Sequence, residues 1–300
     1  MARPVSASIG RNLQVAWLLG LAATASSSAP PSPSFPEKHF VWQVTNVAAP
    51  FYLVGSIHNL RARDYPLPKV YLEALASSER VLFEFSPRRR DALTRKFLEI
   101  AKYPAGQDIE SEVHPATLGL LKKSAWRFRT SYEQLRHYRP WAIALRLLSE
   151  QGPIGPSSGQ SMDTYLTARA QRAGKEVGGL ETVDEHVAFW REMLERDGEN
   201  LLLYALTRKK SVSLLFDKTR AAWKSGDVAA LSATNATLRQ ANPGIAQKLL
   251  DRRNARWVTR IEAEMKTGKP TAIVAGAGHF SGPGSVIALL QERGYRIKQL

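Results

Sequence analysis

The chain has 300 residues, of which 44% are hydrophobic, and 42 basic against 27 acidic side chains give it a formal charge of +15. This length and apolar content suffice for a folded core and exclude a chain that is disordered throughout. The absence of cysteine excludes disulfides, thiolate metal ligands and cysteine nucleophiles. The basic residues are scattered and their densest runs lack interleaved aromatic residues, so we expect a solvated basic surface and no nucleic-acid partner.

The N-terminal segment has the pattern of an export signal. Arginines precede an apolar stretch from Leu13 to Ala25, which ends in small residues. This stretch is shorter than the roughly 20 residues that span a bilayer. We therefore predict a signal peptide at residues 1–25, a Ser/Pro-rich linker at 26–38 and a single folded domain at 39–300. The predicted location is periplasmic or extracellular, either free or anchored by an uncleaved N-terminal segment, with at most peripheral membrane contact.

Short apolar runs rich in β-branched residues predict the strands of the folded region. The first two runs are separated by Asn46 and Pro50, which favours a β-hairpin. The predicted strands comprise residues 40–44, 51–55, 80–85, 175–181, 271–275 and 295–299. Apart from the strand at 175–181, the chain between about residues 88 and 267 has mostly helical periodicity. The sequence therefore predicts an α/β fold of mixed α+β character, with a central sheet and a long helical insertion.

Two of these strands end in the same motif, Gly-x-x-His. The first motif is Gly55–His58 and the second is Gly276–His279. A proline-containing loop, an amphipathic helix and another strand follow each motif, so the chain has a weak internal repeat of two βαβ-like halves. Crossover connections place such strands in one sheet. We therefore expect both histidines in the crevice beyond the strand ends, where open α/β sheets bind ligands.

Two glutamates occupy comparable positions on other predicted strands. Glu84 and Glu181 lie at or near strand C-termini, so parallel strands would bring two imidazoles and two carboxylates to one rim. This set suits a divalent transition metal such as manganese, cobalt or zinc, which would activate a bound water. Each residue also has a purely structural interpretation. His58 and His279 could be loop or core histidines, Glu84 could pair with an arginine, and Glu181 could stabilise the N-terminus of the following helix. Structural or surface roles are expected for the remaining histidines, His39, His114, His137 and His186.

Further short segments accompany the motifs in a consistent order along the chain. They are Leu67-Pro68, Val81–Glu84, Arg139–Trp141, Met162-Asp163, Gly179–Thr182, Arg253-Asn254 and Trp257. Together with the motifs they resemble the TraB/PrgY/GumN superfamily, which contains the Tiki metalloproteases and the GumN-like bacterial envelope proteins. The resemblance implies a sheet with paired Gly-x-x-His motifs, related to the erythromycin-esterase and ChaN-like folds. It also implies metal-dependent peptidase activity in the Tiki branch.

The resemblance suggests roles for residues outside the motifs. Glu84 matches the acidic residue of the family's next strand, and Glu181 matches its Leu-Glu element. Arg253 and Asn254 match an Arg-Asn pair that would steady a substrate carbonyl or oxyanion, or in the case of Arg253 simply pair with a carboxylate. His186 stands where glutamine is expected, which leaves open whether the helix after Glu181 contacts ligand.

Our leading hypothesis is an exported metal-dependent hydrolase, a Tiki-like peptidase acting on a peptide or protein. His58 and His279 would bind the metal, and either Glu84 or Glu181 would be a further ligand or the general base. The alternative is a non-catalytic envelope protein that binds a peptide, heme or polysaccharide precursor in the same crevice. Substrate, metal identity and oligomeric state are not determined by the sequence.

Overall fold

The computed structural model describes residues 38–58, 60–128, 131–151, 161–207, 209–241 and 243–300. The predicted signal peptide lies outside these residues, as does the predicted linker except for its last residue, so both stay predictions. None of the helices in these ranges is both long and apolar enough to cross a bilayer.

A six-stranded mixed sheet forms the centre of the described fold. Its strands are β1 (Val41–Val44), β2 (Phe51–Ser56), β3 (Arg80–Phe85), β4 (Glu176–Glu181), β5 (Thr271–Gly276) and β6 (Ile297–Gln299). The order across the sheet is β4-β3-β5-β2-β1-β6, in which β4, β3, β5 and β2 run parallel and β1 is antiparallel to both of its neighbours. The six predicted strands and the predicted β1–β2 hairpin are thus confirmed.

The two βαβ-like halves interleave within this sheet. The first half consists of β2, α1 (Lys69–Ala76) and β3, and the second consists of β5, α12 (Val286–Glu292) and β6. β5 inserts between β2 and β3, whereas β6 pairs with β1 at the far edge. Because Ser56 pairs with Gly276 and Gly55 pairs with Ala275, the two Gly-x-x-His motifs leave the same end of neighbouring parallel strands with an offset of one residue. The expectation that both motifs lie at one edge of the sheet is confirmed.

The segment between β3 and β5 is mostly helical and contributes several residues to that edge. Its helices are α2 (Arg90–Ala101), α3 (Pro115–Ser124), α4 (Tyr132–Leu135), α5 (Pro140–Gln151), α6 (Met162–Arg172), α7 (Val183–Thr207), α8 (Lys209–Lys224), α9 (Val228–Ala241), α10 (Pro243–Ala246) and α11 (Arg252–Lys266). A π-helical turn, Gln247–Asp251, directly precedes α11. The prediction of a long helical insertion that contains one strand is confirmed.

The main core packs against the sheet, and the two central parallel strands, β2 and β5, have consecutive buried residues, as in a sheet that is covered on both faces. The first five residues of β5 are buried. Tyr71 of α1, Leu166 of α6 and Trp257 of α11 pack against the strands in this core. Residues of α3, α5 and α7 form a second cluster of their own. The helices that touch the sheet, above all α6 and α11, are therefore positioned to reach the strand ends.

Candidate active site

The candidate site lies at the C-terminal ends of the four parallel strands. Across the sheet these ends carry Glu181 on β4, Glu84 on β3, the second motif on β5 and the first motif on β2. Arg253, the second residue of α11, is hydrogen bonded to both glutamates and to His279. One guanidinium therefore joins three of the four residues that the sequence predicts at this rim.

Arg253 is 2% exposed and is hydrogen bonded through all three side-chain nitrogens. Nε donates to Glu181 Oε1 at 2.8 Å, and Nη2 donates to Glu84 Oε2 at 2.7 Å and to Glu181 Oε2 at 3.0 Å. Nη1 makes a longer hydrogen bond of 3.4 Å to Nε2 of His279. Two aromatic rings cover the guanidinium, Phe189 and Trp257. Burial lowers the pKa of Arg253, but the two carboxylates outweigh burial and raise it, so the cation is retained in the interior.

Glu181 is buried and accepts four hydrogen bonds. Besides the two from Arg253, Trp257 Nε1 donates to Oε1 at 3.0 Å and the His186 ring lies 2.7 Å from Oε2. Trp190 donates to Nε2 of His186, so the His186 proton is on Nδ1 and points at Glu181. Burial would raise the pKa of Glu181, but the hydrogen bonds from His186 and Arg253 lower it. All four lone-pair positions of this carboxylate are occupied.

Glu84 is a partly exposed anion, with 22% of its side chain accessible. Oε2 accepts from Arg253, and Oε1 accepts from the backbone N–H of Gly276 at 2.8 Å. This N–H lies beyond the last paired residues of β3 and β5, so the side chain takes the place of a strand partner. Burial alone would raise the pKa of Glu84, but the charge of Arg253 holds it well below its usual range. Glu84 therefore suits a metal ligand better than a proton donor.

His279 is buried on a short 3₁₀ turn, Ala277–Phe280. Its Nδ1 lies 2.6 Å from Asn254 Oδ1, and Asn254 Nδ2 donates to the carbonyl of Gly284 at 2.8 Å. The amide is thereby oriented to accept from Nδ1–H, which leaves Nε2 as the acceptor, 3.9 Å from Glu84 Oε1. Burial lowers the pKa of His279 to about 4. The imidazole is therefore neutral near pH 7.

His58 occupies a more open position, with 59% of its side chain exposed. Its Nδ1 lies 3.3 Å from Oδ2 of Asp163, and Oδ1 of Asp163 accepts from the Ser56 hydroxyl at 2.9 Å. Oδ2 is buried and makes no hydrogen bond of regular geometry to any described residue. Burial raises the pKa of Asp163; a charge on His58 opposes this, and the Glu84 carboxylate adds to it. The sequence includes Asp163 in the Met162-Asp163 segment of the family resemblance but gives it no role, although a carboxylate in the first turn of a helix also suits the helix dipole.

Two helices of the insertion hold the backbone of the motifs. Trp223 of α8 donates through Nε1 to the carbonyl of Gly55 at 2.8 Å, and Asn235 of α9 donates through Nδ2 to the carbonyl of Gly278 at 3.0 Å. We refer to α8 and α9, which pack against each other, as the α8–α9 hairpin. The sequence interpretation missed both residues, since a single Trp or Asn in a helical pattern carries no signal of a distant partner.

The site meets some requirements of a divalent-metal centre. Each motif histidine has Nδ1 close to an oxygen, from Asn254 or from Asp163, which is the usual arrangement of histidines that bind a metal through Nε2. Glu84 adds an anionic oxygen near His279. Within the described ranges, no group of three or more His, Cys, Asp or Glu side chains is arranged to hold one ion. The donor chemistry thus fits manganese, cobalt or zinc, while the side chains form two pairs, His58 with Asp163 and His279 with Glu84.

Comparison with known proteins identifies a family and a similar protein. The model of the TraB/PrgY/gumN family matches residues 40–299. The chain is also similar to metalloprotease TIKI1 of Danio rerio, with 24% identity over 347 residues that cover 95% of this chain and 69% of that protein. No solved structure matches the chain. The family match extends from β1 to β6 and includes both motifs and Arg253.

Proposed function

The chain belongs to the TraB/PrgY/gumN family, and on this basis we propose that it is a hydrolase that cleaves peptide bonds at the rim of the sheet. The similarity to a metalloprotease supports both the bond type and the use of a metal. The observation that carries the proposal is the pairing of an anionic Glu84 with a neutral His279, 3.9 Å apart. Arg253 keeps Glu84 ionised, and Asn254 holds the His279 proton on Nδ1. Titratable groups with such strongly shifted pKa values are typical of active sites.

In this proposal His58, His279 and Glu84 would come together on a divalent transition metal, although in the structure His58 and the His279–Glu84 pair are separate. When bound, such an ion lowers the pKa of a coordinated water and polarises a substrate carbonyl. Other residues of the chain set the orientation and the charge of these metal-donor side chains. Asn254 holds the His279 proton on Nδ1, so Nε2 is the nitrogen available to a metal once its 3.4 Å hydrogen bond from Arg253 is released, and Arg253 keeps Glu84 ionised. The ligand types favour manganese, cobalt or zinc.

The two glutamates have different roles in this proposal. Glu84 is accessible and serves as a ligand, whereas the four hydrogen bonds to Glu181 leave it no position for an ion or a water. We assign Glu181 to the positioning of Arg253. Arg253 and Asn254 are themselves positioning residues, because the bonds of their side chains go to protein groups.

We propose further that the protein acts outside the cytoplasm on a peptide or protein substrate. The support for export is the pattern of residues 1–25 in the sequence. The support for a peptide substrate is the name of the similar protein, a metalloprotease. The alternative, an envelope protein that binds its ligand without turnover, uses the same crevice and is separated by the test below.

The decisive experiment measures metal content and peptide cleavage together. Purified protein is loaded separately with manganese, cobalt and zinc, analysed for bound metal, and incubated with a mixed peptide library that is read by mass spectrometry. We expect bound metal and cleavage for the wild type and loss of both for the His58→Ala/His279→Ala variant. The matched control is His114→Ala/His137→Ala, which alters two histidines of the helical insertion. Equal metal content in wild type and the site variant would refute the metal site, and peptides retained without cleavage would favour the binding alternative.

A further inference from the structure

The two motif histidines have Nδ1 partners of different chemistry. Nδ1 of His279 faces a neutral amide, Asn254 Oδ1, at 2.6 Å. Nδ1 of His58 faces a carboxylate, Asp163 Oδ2, at 3.3 Å. Both partners come from helices of the insertion, α11 and α6. The two histidines are thus held in similar ways by residues that are unrelated in sequence.

The position of Asp163 is unfavourable for the stability of the fold. One of its oxygens is buried and has no regular hydrogen bond within the described ranges, and an unsatisfied buried carboxylate oxygen destabilises the fold. Capping of α6 does not require it, because Ser161 already accepts from the backbone N–H of Thr164. An apolar residue or an amide would serve the fold better. The presence of a carboxylate at this position therefore points to a function at the rim.

The first motif contains the anchor for this carboxylate. Ser56, the second residue of the motif, is buried and donates its hydroxyl to Asp163 Oδ1 at 2.9 Å. The equivalent residue of the second motif is Ala277, whose side chain cannot donate a hydrogen bond. The Ser56 hydroxyl fixes one oxygen of Asp163 and so leaves the other directed at His58.

We propose that Asp163 is a positioning residue for His58. Its Oδ2 accepts a hydrogen bond from Nδ1–H, which fixes the proton on Nδ1 and presents Nε2 to the rim. The 3.3 Å separation is that of a loose contact, and such bonds tighten when a ligand binds. Because most of the His58 side chain is exposed, the described part of the chain supplies few other groups to orient the ring. The use of Nε2 as a ligand rests on the proposed function, but the position of the proton does not.

The test is the tautomer of His58 in the metal-free protein, read from long-range ¹H–¹⁵N correlation spectra at a pH where imidazole is neutral. The His58→Gln variant identifies the His58 signals. We expect the Nδ1–H form in the wild type and its loss in Asp163→Ala, whereas Asp163→Asn retains it because the amide oxygen can accept as Asn254 does. Asn254→Ala is the matched control and should change the tautomer of His279 alone.

The outcomes separate this inference from the proposed function. A wild-type His58 with its proton on Nε2, or an unchanged tautomer in folded Asp163→Ala, would overturn the inference. Ser56→Ala provides a second variant, with partial loss of the Nδ1–H form expected. Titration with cobalt should show about 10–100-fold weaker binding by Asp163→Ala, the range for loss of a group that orients a ligand. If the tautomer shifts as expected but the wild type binds no cobalt, the proposed function fails and the inference stands.

Discussion

The two Gly-x-x-His motifs leave the same end of neighbouring parallel strands with an offset of one residue, and they place their histidines in different environments. The side chain of His279 is 6% exposed and that of His58 is 59% exposed. The second motif is covered by α11, which supplies Arg253 and Asn254 to His279, whereas His58 is contacted by Asp163 of α6. The two halves therefore share a strand end, while the insertion buries one histidine and leaves the other accessible.

The largest expected effect on stability comes from a substitution beside the buried histidine, His279. Arg253→Met would leave Glu84 and Glu181 without their cation, and we expect the free energy of unfolding to fall by about 3–5 kcal/mol, as when one member of a buried ion pair is removed. Urea denaturation would measure it. The control is Arg252→Ala, because Arg252 forms an exposed pair with Glu192, for which a change of about 0–1 kcal/mol is expected. Similar losses for the two variants would mean that Arg253 is not the centre of the site.

A pH effect follows from the burial of His279. Its pKa in the folded protein is about 4, below the ordinary value of 6.5, so the unfolded chain binds this proton first as the pH falls. Its contribution to stability is complete above pH about 6.5 and decreases by about 3 kcal/mol as the pH falls to about 4. Denaturation of metal-free protein across this range would measure the slope. The slope should largely disappear in His279→Asn and persist in His58→Asn; a slope that survives in His279→Asn would assign it to other groups.

Truncation of the histidines should reproduce the contrast on a smaller scale. His279→Ala removes the partner of Asn254 Oδ1 and opens a space beside Trp257, so we expect a loss of about 2–3 kcal/mol in unfolding free energy. His58→Ala removes a mostly exposed side chain and should change it by less than about 0.5 kcal/mol. Thermal unfolding of both variants gives the comparison. Equal destabilisation would contradict the division into a buried and an accessible histidine.

The smallest expected difference concerns the first glycine of each motif. A Cβ at position 55 would lie 3.1 Å from Phe40 Cβ and 3.2 Å from the backbone of Ala277, neither of which can move freely. A Cβ at position 276 would lie 3.3 Å from Glu84 Oε1, the end of a side chain that can shift. We expect Gly55→Ala to cost about 1–2 kcal/mol and Gly276→Ala less. The reverse order in thermal unfolding would indicate that the Glu84 carboxylate is held more rigidly than its partial exposure suggests.

The sequence was a good guide to the strands and to the edge at which they end. Short runs of apolar, β-branched residues indicate buried strands, and glycine indicates where a strand turns. Both motifs could therefore be assigned to strand ends. The insertion of β5 between β2 and β3 could not be predicted, because local pattern carries no information on which strands pair. Glu84 and Glu181 could be assigned to the rim, but their different hydrogen bonding could not.

The sequence indicated where the site residues lie, but it did not indicate which side chains they contact. The partner of Glu181 is Arg253, which is 72 residues away along the chain, and the partner of His58 is Asp163, on a helix that follows one strand and several helices. Periodicity gave neither contact. The family resemblance singled out Arg253 and Asn254 for a substrate carbonyl or oxyanion, which stays a prediction. In the structure the bonds of both side chains go to protein groups. His186 has a structural role of a specific kind, as a donor to Glu181.

The hydrogen bonds from Trp223 and Asn235 make the α8–α9 hairpin a shared support for both motif turns. Opening of the hairpin would release the two turns in a single cooperative event, so the site would be assembled or lost as a whole. Any ligand that engages both histidines would in turn slow amide hydrogen exchange throughout the hairpin, far from the ligand itself. An external protease that cuts between α8 and α9 would accordingly inactivate the protein without touching the sheet.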